Sequence, residues 1–82
     1  MDKIEQRALQ AKRLREDEAF VSFVAEVRDA QTAIFLNPAS SDEDRASAHH
    51  IVRAIHQIEQ KLKSAETDLL IEQKKGQHRG SD

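Results

Sequence analysis

The sequence predicts an all-α fold, an antiparallel hairpin of two helical arms, and three observations carry that expectation. Apolar residues recur at intervals of three and four over most of the chain, the spacing that places them on one face of a helix. Only two Gly and one Pro occur in 82 residues, too few turn residues for a many-stranded sheet. A single strong interruption, Asn37-Pro38-Ala39-Ser40-Ser41, divides the chain into arms of similar length.

Arm one is expected over residues 2–36. Its second half carries the stripe Phe20, Phe23, Val24, Val27 and Ile34, with Gln31 at one stripe position. Its first half carries a weaker stripe, Ile4, Ala8, Ala11 and Leu14, which does not continue in phase into Phe20. Asp17 lies between the two and is a favoured N-cap residue, so the arm is expected to break or bend there. Pro38 disfavours helical geometry at Asn37, which ends the arm near Leu36.

The turn is placed at 37–40 and arm two at 41–73. Ser40 and Glu43 are spaced as in a capping box, and Asp42, Glu43 and Asp44 suit the positive end of a helix dipole. Ala48, Ile51, Ile55, Ile58, Leu62, Ala65 and Leu69 then follow at alternating steps of three and four, a heptad seam. Residues 1–73 make the hairpin, and 74–82 are expected to be a flexible polar tail without an apolar anchor.

A two-helix hairpin has one seam and leaves its other flanks wet, and part of this seam is Ala. The chain is therefore expected to self-associate as a helical bundle or coiled coil. The interaction seam comprises Phe20, Phe23, Val24, Val27, Ile34, Ile51, Ile55, Ile58, Leu62 and Leu69. Val21, Phe35, Leu70 and Ile71 fall outside it and form a candidate outer docking surface.

The same residues argue against catalysis and cofactors. There is no Cys, hence no disulfide, thiolate metal site or Cys nucleophile. The residues four past His49 and His50 are Arg53 and Ala54 and the one four before His56 is Val52, while His49 and His56 are about 10.5 Å apart along the helix, too far to share an ion. The acids at 42–44 are explained by capping, and both Gly lie in the tail rather than in a phosphate loop. No catalytic residue, metal ligand or cofactor is assigned. No apolar run approaches the length of a membrane span, and the first residues lack the apolar core of a signal peptide, so a cytoplasmic protein is expected. Net charge is −2, and Lys12, Arg13 and Arg15 are followed at once by Glu16, Asp17 and Glu18. That mixed cluster suits a solvated helix face better than a nucleic-acid surface.

Ala11, Leu14, Asp17, Phe20 and Phe23, at intervals of three, resemble a segment of small helical proteins encoded among the virion genes of tailed phages and prophages. The turn containing Pro38, the helix start Glu43-Asp44-Arg45 and the helix through Ile58 and Leu62 extend the likeness over about residues 8–65. Many of those proteins carry a Trp before the turn, where this chain reads Ile34-Phe35-Leu36. The resemblance implies a non-enzymatic structural or assembly protein, head-associated or scaffolding-like, whose partners are further copies of itself and a capsid, with the virion as a second location. A small DNA-associated regulator or packaging accessory is the alternative reading. An adaptor or antitoxin-like hairpin with one protein partner is a further one.

Overall fold

The computed structural model describes residues 2–80, and the side chains of residues 2–76. Three helices follow in order: α1 (Lys3–Glu16), α2 (Glu18–Leu36) and α3 (Asp42–Gly80), with no strand among the described residues. α1 and α2 are the two halves of arm one, and α3 packs back across both. Leu9 lies beside Leu69, Arg15 meets Glu66, Phe20 lies near Leu62 and Phe35 near Val52, so the two arms run antiparallel.

Each helix begins where a side chain can satisfy its first amides. Asp2 accepts from the Ile4 amide at 3.3 Å and opens α1. Asp17, in an extended conformation, accepts from the Phe20 amide at 2.8 Å and opens α2, while its own amide closes α1 on the Leu14 carbonyl. Arm one is thus two helices, because one residue serves as the end of the first and the N-cap of the second.

The turn differs in detail from the expected capping box. Ser41, rather than Ser40, caps α3, its hydroxyl accepting from the Asp44 amide at 3.0 Å. Ser40 instead donates its amide to the Asn37 carbonyl, and the Asn37 side chain accepts from the Ala39 amide. The Arg45 guanidinium spans the turn from α3, donating to the carbonyls of Asn37 and Pro38 at 3.2 Å each. Both chain directions at the turn are therefore tied to the first helical turn of α3.

α3 is longer than expected. Its backbone remains helical to Gly80, through most of the segment read from sequence as a polar tail, while Ser81 and Asp82 lie outside the described residues. No Pro interrupts this stretch, and a Gly inside a helix costs only about 1 kcal/mol relative to Ala. At 39 residues α3 is the spine of the molecule, about 58 Å long.

The molecule measures 64 × 24 × 15 Å. A helix with its side chains is about 10–12 Å across, so 15 Å is the thickness of one helical layer. Globular domains bury their apolar faces between two layers. Among the described residues the buried apolar ones are Ala8, Ala11, Ala48 and Ala65, and no large side chain is fully buried. The small residues let α1 approach α3 closely near Ala65. They provide little apolar area of their own.

Candidate interaction surface

The strip of α3 that faces arm one is built from Ala48, Val52, Ile55, Glu59, Leu62, Ala65, Glu66 and Leu69, all buried or half-buried. Ile51 and Ile58, expected on the seam, are exposed on its flank. α2 contributes Phe20, Val24, Arg28 and Gln31 to the contact, whereas Phe23, Val27 and Ile34 are exposed. Of the ten seam residues expected from the sequence, Phe20, Val24, Ile55, Leu62 and Leu69 lie between the arms. Phe23, Val27, Ile34, Ile51 and Ile58 do not. That is a correction to the seam as an intrachain contact.

At mid-hairpin the contact instead includes a polar pair. Arg28 of α2 donates through Nη2 to Oε1 of Glu59 in α3. With these two side chains in the contact, Val52 and Glu59 of α3 stand between the arms where Ile51 and Ile58 were expected. On α2, Arg28 is half-buried where Val27 is exposed. A second ion pair fixes α1: Arg15 donates to both carboxylate oxygens of Glu66, from Nε at 2.8 Å and Nη2 at 2.9 Å. This forked geometry holds the Glu66 carboxyl below its ordinary range, chiefly through the hydrogen bond from Arg15, and raises the Arg15 guanidinium in turn.

The displaced residues share a face. One side of the hairpin carries Val21, Ala25 and Arg28 of α2 beside His56, Gln60 and Lys63 of α3, together lining a shallow groove. His49 and Arg53 continue that side towards the turn. At 100° per residue, Phe23, Val27 and Ile34 lie on the opposite side of α2 from Val21 and Ala25. Ile51 and Ile58 likewise lie opposite His49 and His56 on α3. Phe23, Val27, Ile34, Ile51 and Ile58 therefore form one stripe across both helices, with Ala30 and Ala54 between them. Phe23 is 65% exposed and Ile58 52%.

The four residues of the expected outer docking surface do not gather. Val21 lies on the polar side, Phe35 at the turn end near Ala48 and Val52, and Leu70 beside Leu9 at the open end. Ile71 is exposed elsewhere on α3. Sequence reasoning had no place for Leu9 and missed Val52 and Glu59 as seam residues. One signal was present: α2 carries apolar residues on two adjoining stripes, Phe20 with Val24 and Phe23 with Val27 and Ile34, more than one partner helix can cover.

Among the described residues no three His, Cys, Asp or Glu side chains converge as metal ligands, and the His49 and His50 ring centroids are 6.1 Å apart. Among the same residues no helix is long and apolar enough to cross a membrane. Arg15, Arg28 and Arg45 each engage a protein acceptor.

The fold and surface define an all-α helical hairpin with one open apolar face. No family model matches the chain, and neither a curated protein nor a solved structure matches it.

Proposed function

We propose that the protein is a non-enzymatic interaction and assembly protein that works by having its open face covered by another protein surface. The carrying observation is the stripe Phe23, Val27, Ile34, Ile51 and Ile58, exposed on a molecule one helix thick. Exposed apolar stripes of this extent on a small chain mark protein–protein contact. The hairpin supplies stiffness along about 58 Å, and the Arg28–Glu59 and Arg15–Glu66 pairs hold the arms in the rotation that presents the stripe.

The setting proposed is virion assembly in a tailed phage. Its support is the resemblance over residues 8–65 together with a rod-like hairpin suited to docking along a larger protein lattice. The test is co-fractionation with assembled particles from producing cells, comparing the natural chain with Ile58→Asp. Particle association of the natural chain and its loss in Ile58→Asp is the expected result. A natural chain absent from particles overturns the setting, and equal incorporation of both chains overturns the role of the face.

A further inference from the structure

We infer that the occupant of the open face is a second copy of this chain, related by a two-fold axis parallel to the helices, so that α2 of each copy lies on α3 of the other. The inference rests on the open face being the working surface and adds its partner and geometry.

Size comes first. α2 is 19 residues, about 28 Å, and two helices packed side by side present a strip about 18 Å wide. Such a strip projects onto about 500 Å², and the accessible surface of its side chains exceeds that flat projection, towards the roughly 800 Å² per partner of a standard interface. Two hairpins face to face also make the two-layered bundle that a single hairpin lacks.

Heights along the bundle come next, taken from the Arg28–Glu59 pair. In antiparallel helices each residue before Arg28 lies level with one after Glu59, at 1.5 Å per step. Val27 and Ile58 then fall within about 3 Å of the same height, and so do Ile34 and Ile51. An axis parallel to the helices preserves height. Val27 and Ile58 of both copies make one four-residue layer, and Ile34 and Ile51 of both make another. Ala30 and Ala54, small enough for close approach, lie between the layers.

Charge at the edges selects this axis over the alternative. Beyond Phe23 and Val27, the outer edge of α2 carries Glu26 and Asp29 and no basic residue. The sole basic residue of α2, Arg28, is engaged with Glu59 on the other flank. Beyond Ile51 and Ile58, the outer edge of α3 carries His50, Gln57 and Lys61 at mid-height, with Asp68 at the far end of the stretch level with α2. An axis perpendicular to the helices lays α2 on α2 and sets Glu26 and Asp29 against their own copies, like charge against like. The parallel axis sets the acidic edge of α2 against the edge of α3 that carries Lys61. Glu26, two residues before Arg28, and Lys61, two after Glu59, lie at the same height. Such flanking pairs select partner orientation more than they add stability.

The experiment measures the dimer constant by sedimentation equilibrium for the full chain, Glu26→Lys, Lys61→Glu and the double variant. Each single reversal, acting at two symmetric positions, is expected to weaken association by about ten-fold, and the double variant to return within about three-fold of the natural chain. Glu26→Cys mixed with Lys61→Cys should form a disulfide-linked pair, while Glu26→Cys alone should not link to itself. A dimer in which Glu26→Cys links to itself and Glu26→Lys has no effect overturns the arrangement and leaves the open face as the interface. A natural chain that stays monomeric at all concentrations overturns the second copy as occupant. If that monomer still enters particles through the Ile58 face, the proposed function stands without it.

Discussion

Arg28 and Glu59 meet across the middle of the hairpin, while the neighbouring Val27 and Ile58 are exposed on a common face. An ion pair thus occupies the position where a heptad seam would place two aliphatic side chains. On one flank of it the arms present a polar groove and on the other an apolar stripe. Half-exposed pairs of this kind contribute modestly to stability.

Glu59→Ala should therefore cost only about 0.5–1 kcal/mol in urea unfolding at fixed protein concentration. Replacing both partners, Arg28→Leu with Glu59→Leu, should be neutral or stabilising, since an apolar pair avoids the desolvation of two charges. The double variant should nevertheless give a mixture of associated species in sedimentation velocity, because either face of α3 can then pack. A single sharp species would show that the ion pair does not set the rotation.

Ile58 and Leu62 are one turn apart on α3 but belong to different contacts. Ile58→Asp places a charge in the open stripe and should weaken self-association by about 100-fold or more. Leu62→Ala removes apolar surface between the arms and should destabilise the hairpin by about 2–3 kcal/mol. Parallel measurement of mass and thermal unfolding separates the two. Equal effects of both changes on association and unfolding would argue for one undivided seam.

The joint between α1 and α2 depends on the Asp17 carboxylate, which accepts from the Phe20 amide at 2.8 Å. Asp17→Ala should cost about 1 kcal/mol, and Asp17→Asn should recover most of it, because Asn also accepts at an N-cap. Urea unfolding monitored by circular dichroism reads both. An Ala variant as stable as the natural chain would remove the cap as the reason for the break.

Glu66 provides the pH dependence. Its carboxyl is held below the ordinary value of 4.5, chiefly by the hydrogen bond from Arg15, so the folded chain takes up that proton less readily than the unfolded chain. The resulting stabilisation is fully present above the ordinary carboxylate range and is lost as pH falls through the lowered value. The difference in Tm between the natural chain and Glu66→Gln should accordingly be largest near neutral pH and shrink on acidification. A constant difference across that range would mean the Arg15–Glu66 fork does not persist in solution.

The helical class, the turn at Pro38 and the break at Asp17 were legible because each has a local cause: three-four spacing, a ring that forbids helical geometry at Asn37, and a carboxylate suited to capping. The presence of Val52 and Glu59 in the contact, with Ile51 and Ile58 outside it, was not legible. Arg28 reaches Glu59 across 31 residues of sequence, a pairing that only the packed arms create. The choice between Ser40 and Ser41 as cap was similarly beyond spacing, because both serines stand at plausible distances from an acid and the turn's own hydrogen bonds decide between them. The length of α3 was missed because two Gly and a polar composition suggested a tail, whereas neither breaks a helix outright. The open stripe was half visible, as more apolar surface on α2 than one partner could cover.

The most direct test of the central claim, that a second copy of the chain covers the stripe from Phe23 to Ile58, is sedimentation equilibrium of the full chain over a wide concentration range. The account predicts a reversible species of twice the 9.3 kDa chain mass, converted to monomer by Ile58→Asp. A fully helical, stable 9.3 kDa monomer at every concentration, unchanged by Ile58→Asp, would contradict it.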